Sequence, residues 1–591
     1  MAGQVVSRWT AYGARVTPGV STVAVMMLTS SYVRARHAAG DAETVSGGAQ
    51  ALVVLFALTA AATHACVVGF TLRAIYALTA VYQGVLALAL QTAAARGRRP
   101  AEDEPSEVVH VVVVPNYGET LHTLRQTLAV LAGHGRARAA YDIVLAMEAA
   151  EGGADGKAAL LEAEFAGAFR RLSHTIHAVA AGETPGKSAN MAWAASQIAA
   201  DAAYAQARVV VTVIDADTHL LPSYFDYISR HRATHGHRTL YIPPVVFDRN
   251  SNAVSPLVRC ADLLWSSATI AGLYRTSTIK TPTSAYSLPL ELVRDVGGWD
   301  TDDGAVGEDL HMFLKCYFAT AGRLDTVTVF SPASHCNVEP AEPALPALPG
   351  SPLREHLDAW LRQTLLSNKA RYTQACRHTW GMLDAGYTLR GAAALVAAAR
   401  EPLDLEKDAE KAGDRRPLPT WSLVVLLHRI YEAHFLPIHY LIYVVACSLF
   451  PFPEDHSPLG PVLSAVVGAL MGMLSVLRTA AFFGVVVQFF CYERYHRLAL
   501  VLRRRQVYDA LAAARAATAG RPVDDPARRA AHRLESGLHD EAFAERSLRT
   551  NLLDYVLFPI AGAVFGAIPT MRAQALQFWT TSLVYEVSAK P

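Results

Sequence analysis

The chain has 591 residues, enough for several structural units, and its 53 basic and 52 acidic residues leave a formal charge of +1, which argues against nucleic acid as a partner. Hydrophobic residues make up 52% of the chain and are concentrated in blocks near its two ends, so the composition predicts a membrane protein with a soluble middle. Seven scattered cysteines without a CxxC pair indicate neither a disulfide framework nor a zinc cluster.

Residues 1–48 read as an N-terminal cytosolic segment. Their modest apolar run, Val20 to Val33, is followed by no small-residue cleavage site, so no removable signal peptide is expected. Residues 49–95 read as a transmembrane hairpin. Ala49 to Phe70 is almost uncharged, for roughly the length that crosses a bilayer, and a second apolar run follows Arg73. Arg34 and Arg36 before the pair, and Arg96, Arg98 and Arg99 after it, place both flanks in the cytosol by the positive-inside tendency.

Residues 107–340 read as an α/β domain. Val108 to Val114 is a continuous apolar strand that runs into Pro115-Asn116-Tyr117-Gly118-Glu119, and helical periodicity follows from Thr120 to Ala132. A second strand, Tyr141 to Met147, ends at Glu148. A helix is expected from Ala158 to Leu172 and a third strand from Ile176 to Val179. Next comes Gly182-Glu183-Thr184-Pro185-Gly186-Lys187-Ser188-Ala189-Asn190, whose glycines allow a tight turn into a helix ending at Ala200. The GxxxxGK[ST] spacing of a P-loop is missing, although a lysine at a helix start can meet a phosphate.

Arg208 to Ile214 is a β-branched run that ends abruptly in Asp215-Ala216-Asp217. In an open α/β sheet the carboxyl ends of the strands form the ligand crevice, where two such carboxylates can present a divalent cation to a phosphorylated substrate. A helix from Pro222 to His235 and a strand from Leu240 to Val246 follow. Val293 to Asp300 is a glycine turn carrying Trp299, and Gly307-Glu308-Asp309-Leu310 opens a helix that runs to Thr320. Alternating strands and helices predict a mostly parallel sheet.

Pro340 to Pro352 is a proline-rich linker. Residues 353–420 read as interfacial helices and a charged loop, Glu401 to Pro419, and residues 421–491 as transmembrane helices, with Arg478 inside the second apolar block. His428, Glu432 and His439 read as interfacial. Residues 492–550 read as a charged cytosolic helical insertion, and residues 551–591 as a membrane or re-entrant segment that contains Pro559 and stops at Pro569.

Taken in order, PNYGE, a strand ending in Glu148, GKSAN, DAD, VGGWD and GED resemble the nucleotide-sugar glycosyltransferases of family 2, whose fold is called GT-A. With the flanking apolar blocks, the chain is similar to the membrane-embedded branch that contains hyaluronan, chitin and cellulose synthases. The resemblance implies that Pro115, Tyr117, Glu119 and Glu148 surround the nucleoside, that Lys187 and Asp215 contact the nucleotide, and that Asp217 ligates Mn²⁺ or Mg²⁺ together with His335. It also implies that Asp309, beside Glu308, is the catalytic base, and that Trp299 serves the acceptor or diphosphate. The processive members carry QxxRW. This chain has Gln374-Ala375-Cys376-Arg377-His378-Thr379-Trp380, so Gln374, Arg377 and Trp380 are the candidates for acceptor and diphosphate. Two departures bear on the donor: Glu148 stands where Asp is common, and Asn116 precedes Tyr117.

Independent physical reasons support these roles. A departing diphosphate carries extra negative charge that a hard cation on carboxylates stabilises. A sugar hydroxyl is a poor nucleophile near neutral pH and needs a carboxylate to take its proton. One base and direct displacement imply inversion at the anomeric carbon.

The expectation is therefore an inverting membrane glycosyltransferase that uses a UDP-sugar to extend a cell-surface or cell-wall polysaccharide. It would have a cytosolic active site, a glycan acceptor and contact with membrane lipids, with the plasma membrane favoured over internal membranes. Single-step glycosylation of a polyprenyl phosphate or ceramide is the alternative, and association with further copies of the chain stays open. A non-catalytic scaffold or transporter that kept the fold would be expected to have lost a carboxylate among Asp215, Asp217 and Asp309, and all three are present.

Overall fold

The structure, a computed structural model, describes residues 8–41, 46–94, 107–339, 352–400, 418–451, 460–520, scattered positions between 521 and 542, and 543–582. The arginines at 96, 98 and 99, the proline-rich linker up to 351 and most of the charged loop after 400 lie outside the described residues.

In chain order the elements are helices α1 (Arg8–Asp41) and α2 (Gly47–Ala94), strand β1 (Val108–Asn116), α3 (Leu121–Ala132), α4 (Ala137–Ala140), β2 (Tyr141–Glu148), α5 (Ala154–Glu164), β3 (Arg171–His177), α6 (Lys187–Ala200), β4 (Arg208–Val213), α7 (Pro222–Thr234), β5 (Thr239–Ile242) and β6 (Val245–Phe247). They continue with α8 (Pro256–Ile270), β7 (Tyr286–Pro289), α9 (Leu290–Val296), α10 (Glu308–Ala319), β8 (Asp325–Thr328), β9 (Ala333–His335), α11 (Pro352–Trp380) and α12 (Leu383–Arg400). The last are α13 (Thr420–His434), α14 (Leu436–Leu449), α15 (Pro461–Thr518), α16 (Leu548–Asn551), α17 (Asp554–Gly562) and α18 (Ile568–Leu576).

A seven-stranded sheet in the order β3-β2-β1-β4-β7-β5-β8 forms the middle of the chain, with β6 and β9 as a separate parallel pair. Val111 to Val114 of β1 are fully buried, as expected of a strand covered on both faces, and each such valine stabilises the domain by about 1.5 kcal/mol or more. The α/β GT-A-like expectation holds, with one qualification: β7 runs antiparallel to both β4 and β5. The sheet is therefore mixed, though mostly parallel.

Three strand and helix limits differ from the sequence expectation. The helix after β2 spans 154–164, and β3 lies at 171–177, because pairing of Asp142 to Glu148 with Arg171 to His177 sets its register. The strand expected from Leu240 to Val246 is two strands, since Pro243 and Pro244 have no N–H to continue a ladder.

The long apolar helices need larger corrections. The hairpin expected over 49–95 is one 48-residue helix, α2, about 70 Å long. Arg73, which reads as a break, has a partner: its guanidinium donates to both oxygens of Glu432 on α13, at 2.7 Å each, and its Nε donates to the Ala271 carbonyl at 3.2 Å. The hairpin partner of α2 is instead α1, in the segment expected to be wholly cytosolic. Tyr32 stacks on Phe56 between them with ring centroids 3.9 Å apart. The boundary expected at 491/492 is also absent, because α15 continues unbroken for 58 residues through a charged stretch made of good helix formers.

Among the described residues, four helices are long and apolar enough to cross a membrane: 8–37, 47–94, 461–516 and 554–576. Helices α13 and α14, which meet at 55°, form a broken fifth candidate.

Candidate active site

Strand order places the site. From β1 the chain moves to β2 on one side and from β4 to β7 on the other, so β1 and β4 flank the point where the winding reverses, and a ligand crevice opens beyond their carboxyl ends. Strand β1 ends there at Asn116, β2 at Glu148, and β4 leads into Asp215 and Asp217.

Asp215, Asp217 and His335 each offer a ligand atom, and the three atoms lie within 4.8 Å of one another. Asp217 is fully buried, and its Oδ2 accepts from the Cys336 backbone N–H at 3.0 Å, while its own carbonyl accepts from Arg249 at 2.6 Å. Thr218 Oγ1 lies 3.2 Å from His335 Nδ1 and accepts from the Asp215 N–H at 3.2 Å. Two carboxylates, Asp217 held by a backbone N–H and Asp215 by the Lys187 ammonium, and one imidazole form a donor set that fits Mn²⁺ or Mg²⁺, and the nitrogen favours the transition metal.

Lys187 joins this cluster to the GED turn. Gly186, at φ +136°, lets the chain enter α6 in a conformation closed to other residues. The lysine Nζ then lies 3.0 Å from Asp215 Oδ1, 3.0 Å from Glu308 Oε2 and 3.2 Å from the Ser284 carbonyl. Asp215 and Glu308 hold the ammonium charged and raise its pKa against the opposing effect of burial.

Asp309, half-buried at the start of α10, accepts from the Ser284 N–H at 2.9 Å and from the Leu310 N–H at 2.8 Å. Burial, then the neighbouring Glu308, push its carboxyl above the usual aspartate value. Ser284, left-handed at φ +42°, thus turns its carbonyl to Lys187 and its N–H to Asp309. The antiparallel course of β7 explains its position, since Tyr286 pairs with Val213 and the residues just before β7 fall beside the DAD turn. No sequence signal marks Ser284.

Glu308, expected beside Asp309 as a catalytic group, is buried and turned inward. Its Oε1 accepts from Trp299 Nε1 at 2.8 Å and from the Tyr286 hydroxyl, and its Oε2 faces Lys187. It therefore positions the lysine. Trp299, expected near the acceptor, is only 5% exposed and holds Glu308 from below, so its ring has no open face for a sugar.

On the nucleoside side, Pro115 is buried in β1 opposite Ala146, and the Tyr117 N–H donates to Glu119 at 2.6 Å. Lys157 fastens this turn by contacts to Asn116 Oδ1 at 3.3 Å, to the Glu119 carbonyl and to Glu151 at 2.5 Å. Glu148 is buried at the end of β2, where burial pushes its carboxyl up. Asn190 Nδ2 approaches it at 3.5 Å, and His177 Nδ1 lies 3.1 Å from Asn190 Oδ1. The GETPGKS loop is tied to the VGGWD turn through Ser188 to the Asp300 carbonyl, at 2.6 Å, and to the residues just after that turn through Thr184 to Asp303, at 2.6 Å.

Gln374 and Arg377 are half-buried near the end of α11, whereas Trp380 is buried and donates to the Thr581 carbonyl at 3.0 Å. Trp380 serves α11 packing and offers no sugar platform. His378 instead links α11 to the cluster of Asp215, Asp217 and His335 through a row of rings: His378 to Trp265 at 6.1 Å, Trp265 to Phe247 at 5.9 Å and Phe247 to His335 at 6.0 Å.

A second buried cluster anchors α10. His311 Nδ1 lies 2.6 Å from Asp384 Oδ1 and its Nε2 3.1 Å from Asp300 Oδ2, and Gly307 gives the room that lets α12 start against α10. Bonds to Asp300 and Asp384 push His311 up to about 10, and burial raises Asp384 to about 6, so both are charged at neutral pH. Because its folded pKa lies above the ordinary 6.5, the stabilisation is full below about pH 6.5 and is lost as pH rises through about 10. His311→Ala is expected to cost about 3 kcal/mol or more by leaving Asp384 unpaired. Thermal melts of the two proteins at pH 6 and pH 10 check this, and a gap that does not narrow at pH 10 refutes it.

Residues 210–491, just under half the chain, match the model of the family described as glycosyl transferase family group 2. The mannosyltransferase PcManGT from Pyrobaculum calidifontis, solved with GDP-Man and Mn²⁺, is similar at 15% identity over 73% of this chain and 98% of that one, with a TM-score of 0.35. No curated protein matches. The family match and the GT-A-like sheet together support a glycosyltransferase of family 2.

Proposed function

We propose that this chain is an inverting, membrane-embedded family 2 glycosyltransferase that takes a UDP-sugar and extends a polysaccharide from an active site on the cytosolic face of the membrane. The observation that carries the reading is the convergence of Asp215, Asp217 and His335 with Lys187 and Asp309, drawn from four segments between residues 187 and 335, at the carboxyl ends of β1 and β4.

In this reading the nucleoside lies against Tyr117, Glu119 and Glu148, and the diphosphate lies toward Lys187 and the two aspartates. Asp217, Asp215 and His335 would hold a divalent cation, which would supply charge neutralisation to the departing diphosphate. Asp309 accepts the proton of the acceptor hydroxyl as that oxygen attacks the anomeric carbon from the face opposite the leaving group, so the new glycosidic bond forms as the bond to phosphate breaks. Lys187 holds Asp215 and Glu308 in place and lowers the negative potential that would oppose a diphosphate. The acceptor enters from the side of Gln374, Arg377 and the His378–Trp265 rings, an arrangement suited to a glycan chain.

The test is direct. Purified protein in nanodiscs, given Mn²⁺ and a panel of UDP- and GDP-sugars, should release nucleoside diphosphate from one UDP-sugar, and EDTA should abolish the release. Label in long water-soluble chains supports polysaccharide extension. Label that partitions into organic solvent supports a lipid acceptor instead, and no release from any donor overturns the enzyme reading.

A further inference from the structure

The inner face of the charged stretch after residue 491 lies against β6, the strand that pairs with the one carrying His335. Four buried side chains of α15 satisfy the outer edge of β6 and the residue after it. The Tyr495 hydroxyl donates to the Val245 carbonyl at 3.1 Å, the Phe247 N–H donates to the Tyr492 hydroxyl at 3.4 Å, His496 Nε2 donates to the Phe247 carbonyl at 3.2 Å, and Arg503 Nε donates to Asp248 Oδ2 at 2.7 Å. The other edge of β6 pairs with β9, in the register Val246 to Ser334 and Phe247 to His335. Asp248, fully buried, also accepts from the Ser334 hydroxyl through Oδ1 at 2.5 Å and from the Ala544 N–H through its carbonyl at 2.7 Å.

Ser334 completes the connection. Its backbone exchanges two hydrogen bonds with His219, at 2.9 and 3.0 Å, two residues beyond Asp217. The DAD turn, β9 and Asp248 therefore meet at one residue, and Asp248 is gripped by a helix whose first half is a membrane-span candidate. An edge strand of three residues is weak by itself, and here side chains of α15 stand in for a neighbouring strand.

We propose that the extension of α15 beyond the membrane is a brace that positions His335 and the DAD turn for the divalent cation, with Arg503 acting through Asp248 and Ser334 as its positioning residue. This rests on reading Asp215, Asp217 and His335 as the cation ligands. A salt bridge in which both partners are this buried holds one geometry, and removing a partner leaves a buried charge unpaired. Outer contacts of this kind orient metal ligands and tune affinity for the ion.

The experiment uses the full chain in nanodiscs, with Mn²⁺ as the probe in the presence of UDP, and free Mn²⁺ read by electron paramagnetic resonance. Arg503→Lys keeps the charge and loses the planar fork. Ser334→Ala breaks the link while leaving the Arg503–Asp248 pair whole. Both are expected to weaken Mn²⁺ binding by about tenfold, with kcat recovered at saturating Mn²⁺. Arg497→Ala, on the exposed side of the same helix and paired with Glu493, should bind Mn²⁺ as the wild type does.

If Arg503→Lys fails to fold, Ser334→Ala decides the matter. Wild-type Mn²⁺ affinity in the folded link variants overturns the brace and leaves the transferase reading standing. Weakened Mn²⁺ binding in a protein that turns over no nucleotide sugar keeps the brace and overturns the transferase. No Mn²⁺ binding by the wild type overturns both.

Discussion

Asp309→Asn is expected to lower transfer by about 10³-fold, within the range that positioned general bases contribute, while leaving nucleotide binding close to that of the wild type. Asparagine is nearly the same size but has no basic oxygen, so it cannot take the acceptor's proton. The side chain also accepts from two backbone N–H groups, of Ser284 and Leu310, and an amide can satisfy only one of them. A loss of about 1 kcal/mol of stability should accompany the loss of activity.

The pH profile gives an independent check on that role. Burial and Glu308 raise the Asp309 carboxyl above its usual value, and the base works ionised, so kcat/KM should fall as pH drops through that raised value, above the ordinary aspartate range. Steady-state kinetics from pH 4 to pH 8, with tritiated UDP binding measured in parallel, test both statements. Substantial residual transfer by Asp309→Asn, or loss of nucleotide binding with it, would remove Asp309 from the role of base.

Lys187→Ala should damage both stability and activity. The ammonium stands between Asp215 and Glu308, and Glu308 is buried, so removing it leaves a buried carboxylate without its counter-charge, at a cost of about 3–5 kcal/mol. The penalty comes from an unpaired buried charge, so it should be smaller at pH 5 than at pH 8. Lys187→Arg keeps the charge and should recover much of the stability but little of the transfer, because a planar fork cannot reproduce three contacts made by one nitrogen. Melting temperatures at the two pH values and donor turnover separate the effects. A Lys187→Ala protein as stable as the wild type at pH 8 would show that the lysine is not the keystone of this cluster.

Much of the site was legible because its chemistry is written in short motifs at strand ends. Apolar runs that end abruptly in Asn116, Glu148 and Asp215 announce parallel strands and the edge at which they open, and the structure puts all three at that edge. What the motifs did not reveal is which way each side chain faces. Trp299 and Glu308 stand in recognisable motifs, yet their side chains point into the core and act on Lys187. Ser284 has no motif at all, and it reaches Asp309 because a four-residue strand runs backwards through the sheet. His311 and Asp384 are 73 residues apart and carry no periodic relation.

The long apolar helices show the same division. Hydropathy located the apolar blocks, because crossing a bilayer demands a long uncharged stretch wherever it occurs in a fold. It misjudged where helices stop, since Arg73 reads as a break until Glu432 is beside it, and the charges after residue 491 read as a new domain until α15 is seen to continue through them. The sequence by itself determined the strand edges, the short acidic motifs that hold Asp215, Asp217 and Asp309, and the apolar character of the long helices, each of which depends on residues close together in the chain. Only the tertiary structure decided which charges are neutralised, which aromatics are buried and that β6, the neighbour of the His335 strand, leans on the long helix α15, because each of these is a contact between segments whose separation in sequence says nothing about their distance in space.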